Sequence, residues 1–181
     1  LKAHYCSYFM AAVLSSDMDN TDKVVGFIED CRTQGLRVLP PDVNSSFYMF
    51  VANSDKTILY GLGAIKGVGE GVIQSIVSER EANGSFADLY EFTRRIDLHK
   101  ANRRVLEALV KAGALDNLGV NRATLMSRLE EAIRQAEQHG KNAAQGQDDL
   151  FGFASASSSE QAEEPGKTLV KHHLPEIPEW E

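Results

Sequence analysis

The sequence is poor in cysteine, tryptophan and proline, with 2, 1 and 5 residues in a chain of 181. Cys6 and Cys31 have no partner spacing for zinc and fall on expected helices. Both are therefore read as small apolar core residues in a reducing compartment, a disulfide being the less favoured alternative. Long apolar runs are also missing. No stretch approaches the run of about 20 apolar residues that crosses a bilayer, and Leu1 to Cys6 lacks the basic start and apolar middle of a signal peptide. The expectation is a cytoplasmic protein with no membrane partner. Neither Leu1 nor Glu181, which follows Pro175-Glu176-Ile177-Pro178-Glu179-Trp180, resembles a natural terminus, so a piece of a longer chain is expected.

Positive net charge is lacking too, the formal charge being -7, and the acid is unevenly placed. Residues 1–55 carry 4 basic and 7 acidic groups, residues 140–181 carry 3 and 8, and residues 56–139 carry 12 and 11. The middle is where a polyanion is least repelled. What is present in quantity is apolar residue, 43% of the chain, enough for a real core.

Periodicity orders the chain. His4 to Leu14 reads as a helix, Ser15 to Thr21 as a polar break, and Val24, Val25, Phe27, Ile28 and Cys31 as the apolar positions of a second helix stopped by Gly35. Arg37-Val38-Leu39 reads as a short extended run ended by Pro40-Pro41. Phe47 to Ala52 and Thr57 to Tyr60 flank Asn53-Ser54-Asp55-Lys56, which predicts a small β-hairpin. Helices follow over Glu70 to Glu81, Phe86 to Arg95, Asn102 to Lys111 and Arg122 to His139. Ser85 with Asp88 resembles a capping box, Asn121 suits a cap, and Gly113 and Gly140 suit helix stops. Beyond Gly140 the composition turns to Gln, Ser, Ala, Glu and Gly, as in a flexible linker. The expected fold is mainly α with a small β-hairpin and a disordered tail.

Three segments invite a chemical reading. Leu62-Gly63-Ala64-Ile65-Lys66-Gly67-Val68-Gly69-Glu70-Gly71-Val72-Ile73 has the form of a helix-hairpin-helix. Gly67 and Gly69 permit a tight turn that aims backbone N–H groups and a helix dipole at a phosphate, with Lys66 and Val68 beside them. Such chemistry reads the DNA backbone and not base sequence. A glycine-rich loop that only caps a helix is the plainer alternative; a dinucleotide loop is set aside because its third glycine is misplaced.

Arg94, Arg95, Lys100, Arg103 and Arg104 cluster where a second hairpin-like unit would begin, Lys100, Arg103 and Arg104 being the candidate phosphate contacts. A solvated face paired with neighbouring acids remains the alternative. In the linker, Gln147-Asp148-Asp149-Leu150-Phe151 could dock two apolar anchors in a partner's pocket while the glutamine amide fixes register. Asp17-Met18-Asp19-Asn20-Thr21 invites a reading as the nucleophile loop of haloacid dehalogenase phosphatases or as a metal-binding carboxylate pair, but both need the aspartates at the end of a buried strand and helices flank these, so capping is the favoured role. His172-His173 reads as solvated for want of a third ligand.

Pro40-Pro41-Asp42-Val43-Asn44-Ser45, Tyr60 to Gly69, Asn102-Arg103-Arg104-Val105-Leu106-Glu107 and Ala112-Gly113-Ala114-Leu115-Asp116 occur in an order and spacing that resembles the alpha subunits of bacterial polymerase III, the C-family replicative DNA polymerases. The resemblance covers nearly the whole chain. It implies the end of a fingers domain over 1–55, a tandem helix-hairpin-helix region over 56–139, and a linker over 140–181. That linker would carry the sliding-clamp-binding motif Gln147, Asp148, Asp149, Leu150 and Phe151, and Leu174 to Trp180 would lead towards an oligonucleotide-binding barrel. It further implies template-directed DNA synthesis with magnesium in the parent protein, by two-metal phosphoryl transfer. The metal-binding aspartates would lie upstream of Leu1, so this chain would hold no catalytic residue and no cofactor. The implied partners are duplex DNA, the clamp (beta subunit) and other polymerase III holoenzyme subunits, at the nucleoid during replication. A helix-hairpin-helix repair accessory domain and a non-enzymatic clamp adaptor remain alternatives.

Overall fold

A computed structural model describes residues 6–152, and the side chains of residues 6–142 within them. The elements run α1 (Cys6–Ser16), α2 (Thr21–Thr33), β1 (Arg37–Leu39), β2 (Val51–Ser54), β3 (Thr57–Leu59), α3 (Glu70–Asn83), α4 (Leu89–Arg95), α5 (Arg103–Lys111) and α6 (Arg122–Gly152). Short 3-10 turns fall at Leu62–Ala64 and Asp116–Leu118. The mainly α expectation holds. The predicted hairpin is the antiparallel pair β2 and β3. β1 joins it in parallel, Val38 facing Ile58, to give a three-stranded sheet of order β1-β3-β2.

Polar punctuation sets most of the boundaries. Asn20 Oδ1 accepts from Lys23 N–H at 3.2 Å and so caps α2, while Asp17 pairs with Lys23 Nζ at 2.6 Å. That acidic segment therefore caps a helix, as expected. Asp88 takes the capping role expected of Ser85: its Oδ1 accepts from Glu91 N–H and Glu91 Oε2 accepts from Ala87 N–H, each at 2.8 Å. The α4 helix accordingly begins three residues later than Phe86. Asn102 and Asn121 cap α5 and α6 by accepting from Val105 N–H (3.1 Å) and Thr124 N–H (2.8 Å). Each such cap contributes about 1 kcal/mol.

Gly140 does not stop α6, which continues to Gly152. No positive φ is required there and a Cβ would meet nothing within 4 Å, so the glycine is an exposed interior position. Its intrinsic penalty of about 1 kcal/mol is tolerated among good helix formers such as Gln138, Lys141 and Ala143. The first part of the expected linker is thus helical, and residues 153–181, the rest of it, lie outside the described residues.

Two apolar clusters organise the interior. Met10, Leu14, Val24, Cys31, Leu36, Phe50 and Ile58 join α1, α2 and the sheet. Leu62, Ile73, Ile76, Phe92, Leu106, Leu109, Leu115 and Leu129 join α3 through α6, with Val43 inserted from the loop before β2. Tyr48 and Tyr60 pack against both. Both cysteines are free, and burial pushes the Cys31 thiol up to about 11, as suits a core residue.

Candidate nucleic-acid interface

The glycine-rich hairpin lies between the sheet and α3. Leu62, Ile65 and Val68 are buried and anchor it. Its start is clamped to the chain before β2: Leu62 N–H donates to Phe47 O at 2.8 Å and Gly63 N–H to Tyr48 O at 2.9 Å. A Cβ at Gly63 would lie 2.7 Å from the Tyr48 ring, so this approach requires glycine. The turn closes through Val68 N–H to Ile65 O at 3.2 Å, with Gly67 at φ +88°. A buried Val68 holds the turn from below, leaving Lys66, Gly67 and Gly69 on its exposed side.

The start of α3 differs in its cap from the other four helix starts whose cap residue is described. The helices α2, α4, α5 and α6 each begin on an Asn or Asp whose side chain accepts from the first turn. Gly69, which begins α3, supplies no such cap. The first N–H groups of a helix have no partner within it, and they carry the positive end of the dipole. Among the described residues, a Cβ on Gly67, Gly69 or Gly71 would meet nothing within 4 Å beyond its chain neighbours. Glu70, at the first helical position, accepts instead from Gln74 Nε2 at 3.0 Å. The result is an exposed helix start without a side-chain cap, with the exposed Lys66 three residues before it, a combination suited to a phosphate oxygen.

The basic cluster further along is tied down in part. Arg95 is not a surface cation: Nε bonds Glu79 at 3.0 Å, Nη1 bonds Glu91 at 3.0 Å, and Nη2 donates to Glu79 O at 3.2 Å and Gly84 O at 2.8 Å. Its guanidinium also lies 4.4 Å from the Phe86 ring centroid. The Arg95 hydrogen bond, with one from Asn83, holds the Glu79 carboxyl below its ordinary value. The Ala87 N–H and then Arg95 do the same for Glu91. Arg103 bonds Glu107 at 2.9 Å and approaches Glu130 at 3.5 Å, partners that hold its pKa above the ordinary value. Lys100 Nζ lies 3.9 Å from Asp97. Arg104 is exposed, with no hydrogen bond or ion pair among the described residues.

Another positive-φ glycine marks the turn between α5 and α6, where the sequence predicts only a helix stop. Gly113 has φ +83°, its N–H donates to Val110 O, and Ala114 N–H donates to Leu109 O, each at 2.9 Å. Here the space is filled. A Cβ on Gly113 would strike the Arg122 guanidinium, which grips Asp116 in a fork (Nε to Oδ1 at 2.9 Å, Nη2 to Oδ2 at 2.8 Å).

A family described as helix-hairpin-helix motif matches residues 35–125, a span that includes both glycine turns. The chain belongs to the helix-hairpin-helix motif family. The family's span begins just after α2 and stops early in α6. Among curated proteins, DNA polymerase III subunit alpha of Vibrio cholerae is 48% identical over 180 residues, covering 99% of this chain and 15% of the relative. The subunit of the same name from Escherichia coli K12 is 52% identical over 164 residues, 91% of this chain and 14% of the relative. That of Xylella fastidiosa Temecula1 is 50% identical over 180 residues, again 99% and 14%. The resemblance to the polymerase III alpha subunits is thereby borne out, for a stretch that spans about one-seventh of those proteins' length.

The backbone of Gln147, Asp148, Asp149, Leu150 and Phe151 falls within α6, while their side chains lie outside the described residues, as do His172-His173 and Leu174 to Trp180. Among the described residues no group of three His, Cys, Asp or Glu could hold a metal ion, and no helix is long and apolar enough to cross a membrane.

Proposed function

We propose that this helix-hairpin-helix region grips duplex DNA through its phosphate backbone, without regard to sequence, as part of a replicative polymerase of the polymerase III alpha type. The observation that carries the reading is the uncapped start of α3 at Gly69, open on the side of Gly67 and flanked by Lys66. Lys66, Gly67 and Gly69 supply the contacts, with Val68 as their anchor, and Lys100, Arg103 and Arg104 add a second, weaker electrostatic site. Identity near one half over 99% of the chain favours a polymerase over a repair accessory domain or a clamp adaptor.

In that setting the longer protein extends DNA by template-directed nucleotidyl transfer with magnesium, in the bacterial cytoplasm at the nucleoid, alongside other holoenzyme subunits. This stretch of it contributes grip and no chemistry. Gln147 to Phe151 bind the sliding clamp, which raises the effective concentration of polymerase at the primer end.

Two titrations test the reading. Duplexes of unrelated sequence should bind with equal affinity, and log K should fall linearly with log salt by about 0.9 per phosphate contact. Discrimination between duplexes, or affinity indifferent to salt, refutes the backbone reading. Calorimetry against a purified bacterial clamp should show binding that is lost when Gln147, Leu150 and Phe151 are all changed to alanine. Equal heats for both chains would remove the tether.

A further inference from the structure

Arg80 sits on α3 about three turns beyond Gly69, yet it is only 9% exposed. Its Nη1 donates to Val43 O at 2.8 Å and to Ser46 O at 2.6 Å, and its guanidinium lies 4.7 Å from the centroid of the Phe47 ring. Val43 in turn donates its N–H to Ala114 O at 2.9 Å, one residue past Gly113. One residue therefore links the helix of the first glycine turn to the second turn.

The loop that carries Val43 is itself braced. Asn44 and Phe86 exchange two hydrogen bonds (2.8 and 3.0 Å), and Asn117 Nδ2 donates to Asp42 Oδ2 at 3.2 Å. Along α3, the first turn and the middle are held by Val72, Ile73 and Ile76, buried in the core. Apolar contact of that kind is non-directional, whereas charge-assisted hydrogen bonds fix an orientation. Arg80 is therefore a directional anchor at the far end of a rod whose near end is the open hairpin, and its acceptors lie on the same loop that clamps Leu62 and Gly63.

We propose that Arg80 is a positioning residue for duplex binding: acting through Val43, it sets α3 against the Gly113 turn and so decides where the Gly67 hairpin meets the phosphate backbone. The proposal rests on the backbone-gripping reading above. Arg80 is buried and its hydrogen bonds run inward, so it cannot itself hold a phosphate. Any effect of its loss on the count of bound phosphates has to act through geometry.

The test is duplex binding by fluorescence anisotropy over a salt series, using the whole chain as wild type, Arg80→Met, Arg80→Lys and Lys66→Glu. Arg80→Met, measured where circular dichroism shows it folded, should lose affinity about tenfold and flatten the log K against log salt slope by about 0.9, one phosphate. Arg80→Lys, which keeps a charged donor for the two carbonyls, should recover most of both. A residue that only adds stability would lower Tm and leave the slope of the folded protein unchanged. If Arg80→Met keeps the wild-type slope while Lys66→Glu weakens binding, the positioning role is overturned and the hairpin reading stands. If the wild type does not bind duplex, both fall. Should Arg80→Met not fold, Arg80→Gln decides by the same slope, an unchanged value overturning the proposal.

Discussion

Among the positive-φ glycines, Gly67 and Gly113 have nearly the same φ and differ in what occupies the space above them. At Gly67, with φ +88°, a Cβ would meet nothing within 4 Å among the described residues beyond its chain neighbours, and the helix after it begins on a glycine with no side-chain cap. Gly113, at φ +83°, lies beneath the Arg122 guanidinium and its fork to Asp116, and the helix after it is capped by Asn121. One turn is left open; the other is covered by an ion pair of its own. A hairpin's role is therefore read from the side chains around it and not from its φ angle.

The sharpest way to break that comparison is to add one methyl group to each turn. Gly113→Ala should cost about 2–4 kcal/mol, of which roughly 1–2 is the left-handed backbone and the remainder the displaced Arg122–Asp116 pair. Gly67→Ala should cost only the roughly 1–2 kcal/mol of backbone. Urea unfolding of the two variants measures the difference, and equal losses would mean that the filled space at Gly113 is not energetically distinct.

The next contrast concerns charge. Lys66→Ala should weaken duplex binding by about tenfold at low salt, whereas Arg103→Ala should weaken it much less, because Glu107 and Glu130 already offset that guanidinium. The reverse order in an anisotropy titration would move the interface to α5.

A smaller effect is set by pH. Glu79 and Glu91 are held below ordinary carboxyl values in the fold, so their contribution is present above the unfolded-state carboxyl pKa and is lost as pH falls through the folded values. Stability should decline on acidification from about pH 5 downward, and Arg95→Met should make that decline shallower. An unchanged acid limb in the variant, followed by thermal denaturation across pH, would contradict the role given to Arg95. The smallest change expected is at a third glycine, where no special φ is needed. Gly140→Ala should raise helicity and stabilise by about 0.5–1 kcal/mol, and a loss in thermal denaturation would show that the position is constrained after all.

The sequence made most of this architecture legible because its signals are local. Periodic Val24, Phe27, Ile28 and Cys31, the Asn53 to Lys56 turn, and Gly35, Gly67 and Gly113 all act within a few residues of themselves. What it hid depends on distant partners. Arg95 read as part of a basic patch because its partner Glu79 lies 16 residues away in the chain, and Arg103 meets Glu130 across 27. Arg80 offered no signal at all, since its acceptors are main-chain carbonyls 34 and 37 residues earlier. Gly140 misled for the opposite reason: a local stop signal was outweighed by helix formers on either side. For the hairpin, the glycine spacing pointed to the turn that the fold forms at Gly67. The absent cap at Gly69 and the occupied space at Gly113 needed three dimensions.

The most direct measurement is to follow backbone amide resonances of the chain while an unrelated-sequence duplex is titrated in. The largest shifts should fall on the N–H groups of Gly67, Gly69, Glu70 and Gly71, with those of Gly113 and Ala114 changing little. Shifts centred on Arg103 and Arg104, with the Gly67 hairpin unmoved, would contradict a phosphate grip at the start of α3.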